Sequence, residues 1–286
     1  MRKIYNTNFF TLLGSLLLLL TLGCSKVSVD TSVANEPVVQ GYLIPGQTIT
    51  VKLYHQKDIT DTSTYGAALT GQSITISDGT NNILLTESSS GVYTHADGGF
   101  LVAGKTYTMK FTYLSYNVSA STVMPTKPTN FAITDSVINI SSTILGINSA
   151  PDTLAHLTWD NPSQLNHVIV FDNYLAEREF PTRAAGGFGG GIGNFNNSTN
   201  GSIEVNANKA STYAITQTTL PFFAQYYAIL YRVNQEYIDM LQSNSNTRSA
   251  SSQTLTNTYT NVTNGFGIFT AMQMANIVYL HAYETV

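Results

Sequence analysis

From residue 37 onward the chain is written in short segments of alternating character, separated by turn clusters roughly every eight to twelve residues, a rhythm that leaves few folds open. Thr48 to Tyr54 (TITVKLY) alternates apolar and polar with period two, which places Ile49, Val51 and Leu53 on one face of a strand. Pro37 to Leu43 precedes it across the turn Ile44-Pro45-Gly46-Gln47. Gln72 to Ser77 runs into Asp78-Gly79, a tight-turn pair whose glycine accepts positive φ, and Ile83 to Thr86 forms the return strand. Gly91 to Thr94 is a further short strand, and Lys105 to Tyr113 with Asn117 to Val123 forms a hairpin ending at Met124-Pro125. No helical periodicity interrupts this half, so the expectation is an antiparallel β-sandwich.

Pro125 to Asn130 holds two prolines and reads as a linker. Beyond it, Phe131 to Ile138 opens a second strand-rich region. Leu154 to Asp160 puts Leu157 and the lone tryptophan, Trp159, on the same face, and this segment should be core. His167 to Phe171 is a continuous apolar run after its histidine, as suits a central strand covered on both sides. Tyr226 to Val233 is a third core strand and Ala275 to Tyr283 (ANIVYLHAY) a closing one. Asn234 is placed to cap a short helix over 235–242, with Glu236 in its first turn and Tyr237, Ile238 and Leu241 at helical spacing. Gln242 to Thr258, made largely of Ser, Asn and Thr, is expected to be an exposed loop. A tryptophan on an early strand with a later tyrosine-rich strand resembles fibronectin-type or immunoglobulin-like sandwiches, and the first half resembles prealbumin or carboxypeptidase-regulatory ones. The expected fold is all-β: two sequential antiparallel β-sandwich domains, 36–127 and 128–286, the second with a short helix.

Upstream, Arg2 and Lys3 precede the apolar run Leu12 to Cys24 (LLGSLLLLLTLGC), which is too short for a stable spanning helix. It ends in small residues and the chain's single cysteine. This is the layout of a bacterial lipoprotein signal. Gly23 is small enough for cleavage, Leu22 conforms, and Thr21 stands where an aliphatic residue is usual. Residues 1–23 are read as the signal peptide, Cys24 as the lipidation site, and 24–35 as a polar tether. Acylated Cys24 would hold the protein to membrane lipid with more than the two anchoring signals that stable attachment needs. The expected location is the outer membrane, lipid-anchored, facing the periplasm or the cell surface. Loss of the signal removes two of the 13 basic residues and none of the 17 acidic ones, leaving a balance of about −6, which disfavours nucleic acid as a partner. Charged residues make up only 10% of the chain, as expected where hydroxyl and amide side chains decorate exported strands.

The ordered series Val39-Gln40-Gly41-Tyr42, Ile74 to Gly79, Leu84 to Glu87, Gly91-Val92-Tyr93, Gly104 to Tyr107, Met124-Pro125 and the late Gly265-Phe266-Gly267-Ile268-Phe269 resembles a family of Bacteroidetes-type exported lipoproteins, the domain of unknown function 4249 family. The resemblance covers nearly the whole mature chain. It implies a non-enzymatic accessory or interaction lipoprotein, with an outer-membrane TonB-dependent transporter as the expected partner.

Catalytic spacings are missing from the sequence. His55, His95, His156, His167 and His281 are scattered without metal-ligand spacing, and most of them are expected to be half-exposed strand residues. There is no Gly-x-Ser-x-Gly elbow, and acylation of Cys24 would leave no thiol nucleophile. Asp58, Asp61, Asp78 and Asp97 lack a dense calcium-loop pattern and read as turn formers. No cofactor or metal is expected, although carboxylate pairs that the fold brings together leave no spacing to read. The Gly-rich stretch Arg183 to Asn200 lacks the strand, helix and lysine of a phosphate loop; its Phe188, Ile192 and Phe195 are candidate partner contacts. A carbohydrate-binding role is the alternative. It needs exposed aromatic platforms, which, with Trp159 in the core, are expected only from Phe and Tyr on loops.

Overall fold

The computed structural model describes residues 36–57, 63, 65–141, 153–179, 202–216, 219–220, 222–247 and 259–285. The signal, Cys24, the tether, Asp58, Asp61 and the Gly-rich loop with Phe188, Ile192 and Phe195 lie outside them. In chain order the strands are β1 (Pro37–Leu43), β2 (Ile49–His55), β3 (Thr75–Ser77), β4 (Asn82–Leu84), β5 (Thr86–Ser89), β6 (Val92–His95), β7 (Thr106–Tyr113) and β8 (Tyr116–Val123), followed by β9 (Ala132–Ile133) and β10 (Val137–Ser141). Then come β11 (Thr153–Thr158), β12 (His167–Glu179), β13 (Ile203–Asn208), β14 (Thr212–Thr216), β15 (Phe222–Val233), helix α1 (Gln235–Thr247), β16 (Phe266–Met274) and β17 (Val278–Thr285). The all-β expectation holds.

Three sheets make two sandwiches. A large sheet runs β10-β17-β15-β16-β1-β2-β6-β5, with β12 paired to β15 and β13. Its β1-β2-β6 end faces the sheet β4-β3-β7-β8, and its β17-β15-β12 end faces β14-β11-β9. The period-two reading of Thr48 to Tyr54 is met: Ile49, Val51 and Leu53 are all buried, in a core with Tyr93, Tyr107, Met109 and Phe111. The second core gathers Leu157, Trp159, Phe171, Tyr226 and Leu280. The segment read as one return strand, Ile83 to Thr86, is in fact a crossing. Leu85 is buried between β4 in one sheet and β5 in the other, so the chain changes layers there.

The sandwiches are not separate along the sequence, which a division at residue 128 did not anticipate. The first part of β16 pairs in parallel with β1 (Val38 with Phe266 through Leu43 with Ala271), and its end pairs antiparallel with β15 (Val233 with Met272, Tyr231 with Met274). Phe269 and Ala271 of β16, and Val262 just before it, belong to the first core. A second parallel pair, β10 with β17, departs from the antiparallel expectation. The approach of β16 explains two glycines. Gly41 sits directly opposite Phe269, where a Cβ would lie 2.8 Å from the ring. Gly267 has φ +99°, and a Cβ there would lie 1.9 Å from the carbonyl oxygen of Val39.

The helix begins where expected but runs on to Thr247, so Gln242 to Thr247 are helical rather than loop; 248–258 lie outside the described residues. Asn234 does not act through the side-chain cap expected of it. Its amide Nδ2 donates to the Thr122 hydroxyl (2.9 Å), the Val123 carbonyl (2.7 Å) and the Ala271 carbonyl (3.3 Å). The Thr122 hydroxyl donates to Glu236 (2.7 Å) and accepts the Ala271 N–H (3.0 Å), while the buried Thr270 hydroxyl also donates to Glu236 (3.1 Å). The first helical turn is thus tied to β8 and β16 by a buried polar knot, because each of these groups would be costly to leave unpaired away from water.

Candidate functional site

Alternation along β15 sends Ala224, Tyr226, Ala228 and Leu230 into the second core and turns Gln225, Tyr227, Ile229 and Tyr231 outward. Register extends that outer face sideways. Val168, Val170 and Asp172 of β12 lie opposite Tyr231, Ile229 and Tyr227, while Tyr279 and His281 of β17 lie opposite Tyr227 and Gln225. Val137 of β10 pairs with His281. The result is a sheet face on which Tyr227, Tyr231 and Tyr279 stand among aliphatic and polar side chains.

Helix α1 covers one end of this face. Ile238 is buried there with Val168, Val233 and Met272, and Tyr42, Tyr231, Tyr237 and Leu241 pack around them. A cavity of about 240 Å³ remains between the helix and the sheet, bounded by Tyr42, Ile44, Val168, Val170, Tyr231 and Tyr237 among others. Tyr42 meets Tyr237 edge to face at 6.1 Å between ring centroids, and the Tyr237 hydroxyl donates to Glu204 at 2.9 Å. Burial pushes the Glu204 carboxyl above its ordinary range, against the lowering effect of that hydrogen bond. Burial and the facing carboxylate together hold the Tyr237 phenol protonated.

The other end of the face is open. Tyr279 is 60% exposed, Val137 49% and Tyr283 42%. The His281 and Tyr283 rings lie 3.6 Å apart between centroids, and the Tyr227 hydroxyl donates to Asp172 at 2.6 Å. Aromatic surfaces are thereby interleaved with a carboxylate, an imidazole and the Gln225 amide. Such a face can stack on a ligand or bury against a protein while meeting its polar groups.

A second concavity lies where the linker crosses between the sandwiches. It encloses about 720 Å³ and is lined by Thr126 and Lys127 of the linker, by the loop from Trp159 to Leu165, and by Arg232 of β15. Asn161 organises that loop, donating to the carbonyls of Leu165 (2.9 Å), Lys209 (2.9 Å) and Ala210 (3.0 Å) and accepting the Leu165 N–H (2.9 Å). At the base, the Arg232 Nε–H donates to His167 Nε2 at 3.2 Å. His167 is fully buried, the exception to the expectation that most histidines are half-exposed; the other four are partly or fully exposed. Burial, and next the neighbouring guanidinium, lower its pKa to about 4, although the Leu165 backbone pulls the other way, so the ring is neutral at pH 7.

Trp159 is core, as expected, at 4% exposure. Asp78 and Asp97 build turns. Asp78 accepts the Thr80 and Asn81 N–H groups (2.9 and 2.6 Å), and Asp97 those of Gly46 and Leu101 (2.7 and 2.8 Å). Asp78 also pairs with Lys105 at 2.6 Å; the Asn81 and Thr80 backbone bonds and that lysine hold its carboxyl far below the usual range. The tyrosine face was missed by the sequence reading, although Tyr279, His281 and Tyr283 alternate within the strand it placed there. The Arg232–His167 pair carries no such mark, since only strand register brings residues 65 positions apart together.

No family model matches the chain, and no curated protein matches it. Among solved structures, the crystal structure of chicken CNTN1 FN1-FN3 domains is similar at 11% identity and a TM-score of 0.28, covering 86% of this chain and 66% of that one. This chain thus spans just under two thirds of that chain's length, and the description of its fold rests on its own strand pairing.

Proposed function

We propose that the chain is a lipid-anchored cell-envelope protein that works by binding rather than by catalysis, as an accessory subunit of a TonB-dependent outer-membrane transport system. The observation that carries the binding role is the open tyrosine face, with Tyr279 60% and Tyr283 42% exposed on a continuous sheet. Tyrosine buries a large apolar ring at a low entropic cost and still offers a hydroxyl, which is why it is enriched where proteins meet. The lipid signal ending at Cys24 and the resemblance to exported lipoproteins support the location. A tether confines the protein near an embedded partner and raises its effective concentration, so a modest interface suffices. Phe188, Ile192 and Phe195 of the Gly-rich stretch are a second proposed contact.

Cys24→Ser is expected to move the protein from the membrane fraction to the soluble one and to abolish fatty-acid labelling; retention on both counts overturns the anchor. For the partner, mild-detergent pull-downs should recover a β-barrel transporter with the wild type and several-fold less with Tyr279→Ser/Tyr283→Ser. Recovery of no barrel protein overturns the complex, whereas equal recovery with the double variant removes only the face. Deletion of 185–195 tests the loop in the same way. The same aromatic face favours the second reading, a carbohydrate-binding lipoprotein. Glycan binding that disappears in the double variant while no barrel protein copurifies would select it.

A further inference from the structure

Arg232 is only 8% exposed, yet among the described residues it has no carboxylate partner. Among the described residues the one ion pair is Lys105 with Asp78, in the other sandwich. The guanidinium is held by neutral groups: His167 through Nε, and the Thr126 carbonyl and hydroxyl through Nη1. No hydrogen bond from Nη2 to a described residue accompanies them. In the lining of the same cleft, the indole N–H of Trp159 is buried with no acceptor among the described residues. Withdrawing a charge from water costs several kcal/mol unless a counter-charge or ligand compensates it, so an unopposed arginine at the base of a cleft is an expensive feature to keep.

The cleft's other charges narrow the occupant. Lys127 reaches Asn276 at 3.0 Å on one wall. Asp160 stands on another, with its Oδ2 already accepting from Thr129 (3.0 Å) and Asn130 (2.6 Å). The local sum of Arg232, Lys127 and Asp160 is a single positive charge, which suits a monoanion better than a dianionic phosphate facing Asp160. Trp159, Pro162 and Leu165 add apolar wall, which suits an organic body. A volume of about 720 Å³ holds a small organic molecule or the last residues of a peptide.

We propose that this cleft binds the carboxylate of a small organic acid or of a peptide C-terminus, with Arg232 as its anchor and Lys127 assisting at the wall. This site is independent of the tyrosine face and of the proposed transporter.

The test is calorimetric titration of the tethered-domain protein (residues 25–286) with N-acetyl-trialanine, its C-terminal amide, benzoate and inorganic phosphate. The expected result is that the peptide acid, benzoate or both bind, while the amide and phosphate bind at least tenfold more weakly. Peptide acid alone assigns a C-terminus; benzoate alone assigns a small acid. Asp160→Asn should tighten binding several-fold and Lys127→Gln should weaken it by a similar factor, neither touching the buried core. Arg232→Gln should abolish binding with an unchanged circular dichroism spectrum. If Arg232→Gln fails to fold, the two wall variants decide. Equal binding of acid and amide, preference for phosphate, no binding of either carboxylate, or indifference to Lys127 and Asp160 would each overturn the proposal.

Discussion

His167 shows how much a single position depends on what the fold places beside it. In sequence it opens an apolar run that suits a central strand, with nothing to say which group its ring will meet. The register of β12 against β15 sets it opposite Arg232, under Trp159, whose ring centroid is 5.7 Å away. A proton on this ring would be desolvated and would face a guanidinium. Its pKa therefore drops from 6.5 to about 4. The unfolded chain takes up a proton as pH falls through about 6.5, while the folded one resists until about 4, so stability is full above the upper value and declines across that window. At pH 5 the loss should be about 2 kcal/mol, from roughly 1.4 kcal/mol per pH unit. Urea midpoints measured at pH 7.5 and pH 5 should show it. His167→Gln, which keeps an acceptor for Arg232, should flatten that part of the profile; an equal slope in the variant would assign the loss to other groups.

At the scale of elements, the strands that lie in one layer with a buried face were legible, since period-two burial is written locally. Ile49, Val51 and Leu53 sit where alternation put them, as do Leu157 and Trp159. Two kinds of fact were not legible. Leu85 changes sheets in the middle of what reads as one strand, because a kink between two half-strands leaves the same apolar pattern as a straight one. The partners of β16 were also hidden, since parallel pairing between distant segments leaves no turn to announce it. The glycines of Gly265-Phe266-Gly267 are the only trace. Gly267→Ala would press a methyl group into the Val39 backbone at a φ that alanine avoids, and should cost on the order of 3 kcal/mol or more. Gly46→Ala, also at positive φ but with nothing within 4 Å, should cost less. Thermal denaturation of both variants compares a strained turn with a blocked strand pair; equal losses would show that conformation alone matters at Gly267.

For the whole molecule, β16 means that neither sandwich is a self-contained stretch of chain. Residues 36–127 carry most of the first core but lack Val262, Phe269 and Ala271, and without β16 the strand β1 has an open edge. A fragment of residues 36–127 is therefore expected to show no cooperative thermal transition, whereas 36–285 should show one; a cooperatively folding fragment would make β16 an accessory to the first sandwich rather than a part of it. Val38 pairs with Phe266, 228 positions later. In a chain synthesised from its N-terminus, β1 must wait for β16. Loop closure over such a span is slow, and native structure that seals β1 cannot form until residues 266–271 have been made. The same closure that joins the two cores thus leaves β1 with a bare edge through nearly the whole of synthesis, open to wrong pairings until β16 arrives.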